Sequence, residues 1–152
     1  MEDDQALAKE LIDSNLYMTL GTADESGRPW ASPVYYAPDG YREFFWISRP
    51  ESQHSRNLVV RPELGIVIFD STVPINTGRG VYMTAVGELV ADAELERGLA
   101  IFSERSQRHG GEAWTPADLE SPEPLRLYHA IASDYSVIRP RTTRSPVAFD
   151  PD

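Results

Sequence analysis

The 152-residue sequence has no cysteine, which excludes disulfide frameworks, cysteine-ligated metal centres and thiol nucleophiles. It is also poor in positive charge: 14 Lys and Arg stand against 24 Asp and Glu, a formal net charge of −10. That sign opposes non-specific binding to nucleic acid or to an anionic membrane. No apolar run approaches the roughly 20 residues that span a bilayer. The three histidines, His54, His109 and His129, form no close pair, so metal-ligand spacing is missing. No glycine-rich phosphate loop, nucleophile elbow or zinc-protease helix is present, and no nucleophile-and-base arrangement supports hydrolysis. Internal repeats and low-complexity segments are missing too. The acidic opening "MEDDQALAKEL" has the character of neither a secretory signal nor a transit peptide. These absences lead to the expectation of a soluble, cytoplasmic protein that acts on a small molecule, with no nucleic acid, membrane or metal.

The residues that are present fit one domain over residues 1–152. Hydrophobic residues make up 41% and charged residues 25%, enough for a real core at this length. Leu7, Leu11 and Ile12 share a side of a first helix, predicted over residues 3–14. Strands dominate the remainder of the chain. "LYMTLGTA" places Leu16, Met18, Leu20 and Thr22 on one face, with a turn at 24–27. "RPWASPVYYA", the turn "PDG" at 38–40 and "YREFFWIS" complete a three-stranded meander. "LGIVIFD" is apolar on both faces, as a strand buried inside a closed sheet would be. "VYMTAVGELVA" is a further strand. A helix over 92–109 has Asp92 as its candidate cap and Gly110 and Gly111 at its end. Residues 110–124 read as a surface excursion, "LRLYHAIA" and "DYSVIRP" as two more strands, and 141–152 as an exposed tail. The fold expected is mainly β: a barrel of about six to seven antiparallel strands with peripheral helices.

Four stretches bear on function. The first, "PESQHSRNLVVRP" at 50–62, reads as a short helix whose opening turn gathers Ser52, Gln53, His54, Ser55 and Arg56. A helix N-terminus already carries partial positive charge, so cations there are unexpected. Two readings stay open: Ser52 caps the helix while His54 and Arg56 sit in solvent, or the cluster awaits an anion. In "WASPV", Pro33 cannot donate within a sheet and marks an edge or an opening in the wall. "WIS" ends a strand in the hydroxyl of Ser48, which also suits an ordinary strand-end turn. The loop "DSTVPINTGRG" at 70–80 is long for a hairpin and mixes hydroxyls with glycines, as binding loops do. Arg79 there, His109 beside its helix end, His129 within a strand, the basic "RPRTTR", and Tyr17, Tyr35, Tyr36 and Tyr82 are read mainly as structural or solvated.

The order of elements, with "GRPWASPV", "FFWIS", "SQHSRNLVVRPELGIVIF" and "VYMTAVGEL", resembles the pyridoxamine 5′-phosphate oxidase-like family of FMN-binding split barrels. The likeness runs from about Leu16 to Leu89. It implies a homodimer with a flavin in each of two clefts at the subunit interface. The family's phosphate-gripping Ser-Arg-Lys run falls on Ser52, Gln53 and His54, so an amide and an imidazole replace two firm cations; Ser55, Arg56 and Asn57 continue the set, and Arg49 lies nearby. The resemblance further places Ser32, Pro33 and Val34 along the isoalloxazine ring, Trp30 and Trp46 over it, Ile47 and Ser48 beside the ribityl chain and phosphate, and Ser71 as a contact from the loop. Vitamin B6 oxidase activity itself is not implied: Ala37 stands where such relatives carry a basic residue, and "SVIRPRTTRSP" lacks their arginine and histidine contacts. The expectation is an FMN-dependent oxidoreductase acting on a small-molecule substrate, with no catalytic residue nominated. The alternatives are a reductase using a deazaflavin coenzyme and a non-catalytic flavin-binding or sensing protein.

Overall fold

In the computed structural model, which describes residues 3–120 and 124–148, the first helix, α1 (Asp4–Ser14), starts where the Asp3 carboxylate accepts from the Gln5 N–H at 3.4 Å. Its buried residues, Leu7, Ala8, Leu11 and Ile12, recur at helical spacing and turn toward the sheet. The strands are β1 (Tyr17–Ala23), β2 (Pro29–Tyr35), β3 (Ala37–Asp39), β4 (Glu43–Ser48), β5 (Glu63–Phe69), β6 (Gly80–Leu89), β7 (Arg126–Ile138) and β8 (Ser145–Val147). The helix α2 (Gln53–Val60) links β4 to β5, and α3 (Leu95–Arg108) comes after β6 and a short 3₁₀ turn at Asp92–Glu94.

The sheet runs β2-β1-β5-β6-β7-β4-β3, with β8 added to β7, and the neighbours are antiparallel throughout. Curling of the sheet encloses one core, where Met18, Leu20, Phe44, Trp46, Ile68 and Val81 meet the apolar side of α1. A smaller cluster lies behind β4 and β7, where Phe45 and Leu127 pack against Leu99 and Phe102 of α3. The fold is therefore mainly antiparallel β, consistent with a split barrel. Among the described residues no helix is long and apolar enough to cross a membrane.

Several expectations need correction. The first three predicted strands form no meander: β2 pairs with β1 at one end of the sheet, while β4 lies at the other end between β3 and β7. "LRLYHAIA" and "DYSVIRP" form one strand, β7, continuous through a bulge at Ser133, where the register passes from Thr84↔Asp134 to Ala85↔Ala132. Asp92 does not cap α3, whose N-cap is Glu94 without a side-chain cap bond. The C-terminal tail contributes β8, paired with Tyr135–Val137. The strand β5 is covered on one face only: Leu64, Ile66 and Ile68 are buried, while Gly65 and Phe69 are exposed. Apolar character on both faces therefore does not mean burial of both by this chain.

Candidate functional site

The strand β4 ends at Ser48, the chain turns through residues 49–51, and α2 begins. Ser52 occupies the N-cap, but no side-chain cap bond forms. Its hydroxyl donates back to the Arg49 carbonyl at 2.8 Å and lies 2.7 Å from Ser55 Oγ. The first N–H groups of α2 thus lack the hydroxyl that would ordinarily satisfy one of them. His54 is 8% exposed, and both of its side-chain hydrogen bonds fall on Nε2, at 2.9 Å from Ser48 Oγ and 3.3 Å from Ser52 Oγ. Burial pushes its imidazole below the ordinary histidine range, because removal from water penalises the charged ring. Ser48, Ser52, His54 and Ser55 are thereby gathered at one helix end. No Asp or Glu hydrogen-bonds to this group among the described residues, so the donor set is suited to an anion.

A second polar string braces the helix. Arg56 Nη2 donates to Gln53 Oε1 at 2.9 Å, Gln53 Nε2 to Asn57 Oδ1 at 2.7 Å, and Asn57 Nδ2 to Thr22 Oγ1 at 3.0 Å. Asn57 is 2% exposed and acts here as a strut between α2 and β1. Sequence reasoning missed Thr22, whose only signal was a shared face with Met18 and Leu20. It missed Arg126 as well, which the β4–β7 register sets directly opposite Ser48; no local pattern joins those two positions.

β2 ends the sheet path. The Tyr36 N–H donates to the Leu16 carbonyl at 3.2 Å, one step beyond the Tyr17↔Tyr35 pair. Ladder bonds therefore fall on the parity of Met18↔Val34 and Leu20↔Ser32. Pro29 and Pro33 take the other parity, whose backbone groups turn away from β1. Ala31, Pro33 and Tyr35 thus face the open edge with their main chain, while Ser32 and Val34 are tied to β1. Trp30, opposite Thr22, is 51% exposed.

The remaining expected residues lie apart from the helix end. Trp46 is 0% exposed, stacked on Tyr128 with ring centroids 5.8 Å apart, and so presents no surface from this chain to a ligand. Ile47 packs toward the α3 cluster. Ser71 is exposed in the loop after β5, at the opposite end of that strand from α2. His109 accepts from, or donates to, the Tyr35 hydroxyl at 2.7 Å; burial, with Arg105 and Arg108, lowers its pKa. His129 is held by Glu43 at 2.6 Å, and Arg79 pairs with Glu10 at 3.2 Å. Among the described residues no group of three or more His, Asp or Glu is placed to hold a metal.

Two grooves of about 850 and 710 Å³ run over the uncovered outer face of β1, β5 and β6. They share Gly21, Gly65, Thr84 and the bulge residue Ser133. Gly21 and Gly65 are direct partners across β1 and β5. Neither has a positive φ, and a Cβ at Gly65 would meet nothing within 4 Å.

The pyridoxamine 5′-phosphate oxidase family matches residues 5–140. The chain belongs to this family. Solved structures with the same fold include HutZ, a heme storage protein from Vibrio cholerae, with TM-score 0.71, 19% identity, and coverage of 91% of this chain and 96% of that one. A heme binding protein from Mycobacterium smegmatis superimposes with TM-score 0.72 and 19% identity over 92% of this chain, which spans 55% of its length. A structure described as an F420 reductase gives TM-score 0.62 and 21% identity over 84% and 94% of the two chains. At these identities the likeness shows the fold alone. No curated protein matches the sequence significantly.

Proposed function

We propose that this family member is an FMN-binding flavoprotein, an oxidoreductase that passes hydride or electrons to or from a small molecule and works as a homodimer with its cofactor clefts at the subunit interface. The observation that carries the reading is the uncapped N-terminus of α2, where Ser48, Ser52, His54 and Ser55 meet without a carboxylate. A phosphate monoester supplies the acceptors that these donors and the helix dipole lack. The residues present fit the group: Ser52 and the free N–H groups would hold its oxygens, Ser48 and His54 would line it, and Arg56 and Arg126 would border it. The open edge of β2, with Ala31, Pro33 and Tyr35 turned outward, suits the polar rim of a planar ring, beside the exposed face of Trp30. When bound, the flavin supplies the redox chemistry, while the chain positions it and controls access.

The homodimer is argued from the outer face of the sheet. Trp30, Phe69 and Val86 are each about half exposed there or at its borders, and Gly21 and Gly65 keep the centre free of side chains for no reason internal to the chain. A second protomer would cover this surface and bring its 70–80 loop, with Ser71, toward the first protomer's helix end.

Titration of purified protein with FMN and with riboflavin tests the reading. Changing His54 and Arg56 together to alanine should weaken FMN at least tenfold while riboflavin loses little, since a charge-assisted contact contributes about 1.5–3 kcal/mol. Equal losses would overturn the phosphate assignment. The second reading, a reductase using a deazaflavin coenzyme, is favoured by the shared fold of the F420 reductase structure. It is opposed by the net charge of −10, because a longer acidic cofactor tail calls for more cationic surface. Bleaching of the bound flavin by a reduced nicotinamide or deazaflavin donor separates the enzyme readings from a non-catalytic flavin-binding protein.

A further inference from the structure

We infer that phosphate binding at the amino end of α2 is coupled to uptake of a proton by His54, so that the chain acquires on binding the positive charge it does not carry there beforehand. The inference rests on the FMN reading and concerns how that site is regulated.

The geometry singles out this histidine. His54 is enclosed, and its Nε2 is held by the neutral hydroxyls of Ser48 and Ser52. The charged groups on every side are engaged elsewhere or exposed. On its own helix, Arg56 donates to Gln53 and, just beyond its end, Arg61 to the Asp24 and Glu25 carbonyls of the β1–β2 turn. In the preceding turn, Arg49 and Glu51 are exposed. From β7, Arg126 stands opposite Ser48 but donates to the Leu125 carbonyl. From the end of β6, Glu88 approaches His129 at 3.7 Å. None of these groups hydrogen-bonds to His54, and burial is the cause of its lowered pKa. The free ring is therefore neutral near pH 7, because burial penalises its charged form and no carboxylate among the described residues hydrogen-bonds to it.

A phosphate monoester loses its second proton near about pH 6, so at neutral pH it arrives as a dianion. Placed against the ring, it favours the imidazolium form. Binding then moves one proton from solvent to His54, and the new N–H donates to a phosphate oxygen. The sign is fixed by this uptake: affinity falls as pH rises from neutrality toward the bound-state pKa of His54, by up to about tenfold per pH unit for one coupled proton. Riboflavin has no phosphate and should show no such slope.

Calorimetry of FMN binding at about pH 7.5, in phosphate-free buffers of different ionisation enthalpy, counts the protons. About one proton should be taken up by the wild-type protein and close to none with riboflavin. His54→Gln should bind FMN more weakly with the proton uptake abolished, and His54→Lys should bind it with a fixed charge and no uptake. FMN bound without proton uptake, or with the same uptake in His54→Gln, overturns the inference and leaves the FMN reading standing. Failure of FMN to bind at all overturns both. Should either variant fail to fold, the wild-type proton count with riboflavin as the control still decides.

Discussion

Arg105 shows how one side chain ties three elements together. It is 4% exposed, and its guanidinium donates to the carbonyls of Tyr36 at 2.7 Å and Asn15 at 2.8 Å, with longer contacts to Asp13 and Ile12. It also lies 4.5 Å from the centre of the Tyr36 ring, whose hydroxyl donates to the Ile12 carbonyl at 2.5 Å. The cation thus sits on the unpaired carbonyls at the C-terminal end of α1, where the helix dipole is negative. Arg105→Ala should destabilise the fold by about 3 kcal/mol in urea unfolding, because buried carbonyls lose charged donors. His54 makes a different prediction at this scale. Its folded-state pKa lies below the ordinary 6.5, so protonation favours the unfolded chain. Without phosphate, stability should be level above that value and fall as pH drops through it toward the folded pKa. Unfolding midpoints compared between roughly pH 5 and pH 7.5 should show a smaller acid loss in His54→Gln than in wild type.

At the scale of elements, α3 meets the sheet at Gly98. A Cβ there would lie 2.7 Å from Leu127 Cδ2 and 2.9 Å from Phe45 Cε1, so the helix can approach this closely only without a side chain. Alanine is the better helix former by about 1 kcal/mol, yet overpacking costs about 1–3 kcal/mol. Gly98→Ala should therefore lower the thermal midpoint, and a raised midpoint would show that the Leu127 and Phe45 side chains yield freely. Local pattern made α1, the β1–β2 hairpin, α2 and the close of α3 at Gly110 legible, because periodicity, turn chemistry and a positive φ act between near neighbours. It failed where an element is decided by its partner. β7 continues through the Ser133 bulge because Thr84 and Ala85 hold it on both sides, and residues 145–147 become a strand because β7 offers them an edge. Asp92 has the chemistry of a cap, but the chain enters α3 through a 3₁₀ turn that moves the N-cap to Glu94.

The whole molecule raises the question of the uncovered sheet face. Gly65→Arg tests the proposed dimer, because a side chain there meets nothing within 4 Å in the protomer yet would stand up in the middle of the face. Light scattering should find a dimer for the wild-type protein and a monomer for the variant, with the fold retained by circular dichroism. A wild-type monomer would overturn the proposed assembly. The same scale separates the candidate residues: Ser48, His54 and Ser55 converge because β4 runs directly into α2, while Ser71 is carried to the far end of β5 and could reach a helix end only from a second copy.

By itself the sequence determined the chemistry available and the local elements: no thiol, a surplus of acid, strands at period two, and a serine- and histidine-rich helix start, all properties of a residue and its immediate neighbours. Only the tertiary structure decided which of two similar tryptophans is core and which is surface, that the second apolar face of β5 is exposed, that Arg126 stands across from Ser48, and that His54 is enclosed with no carboxylate bonded to it among the described residues. Burial and register depend on what the rest of the chain brings alongside, and no local window contains that information.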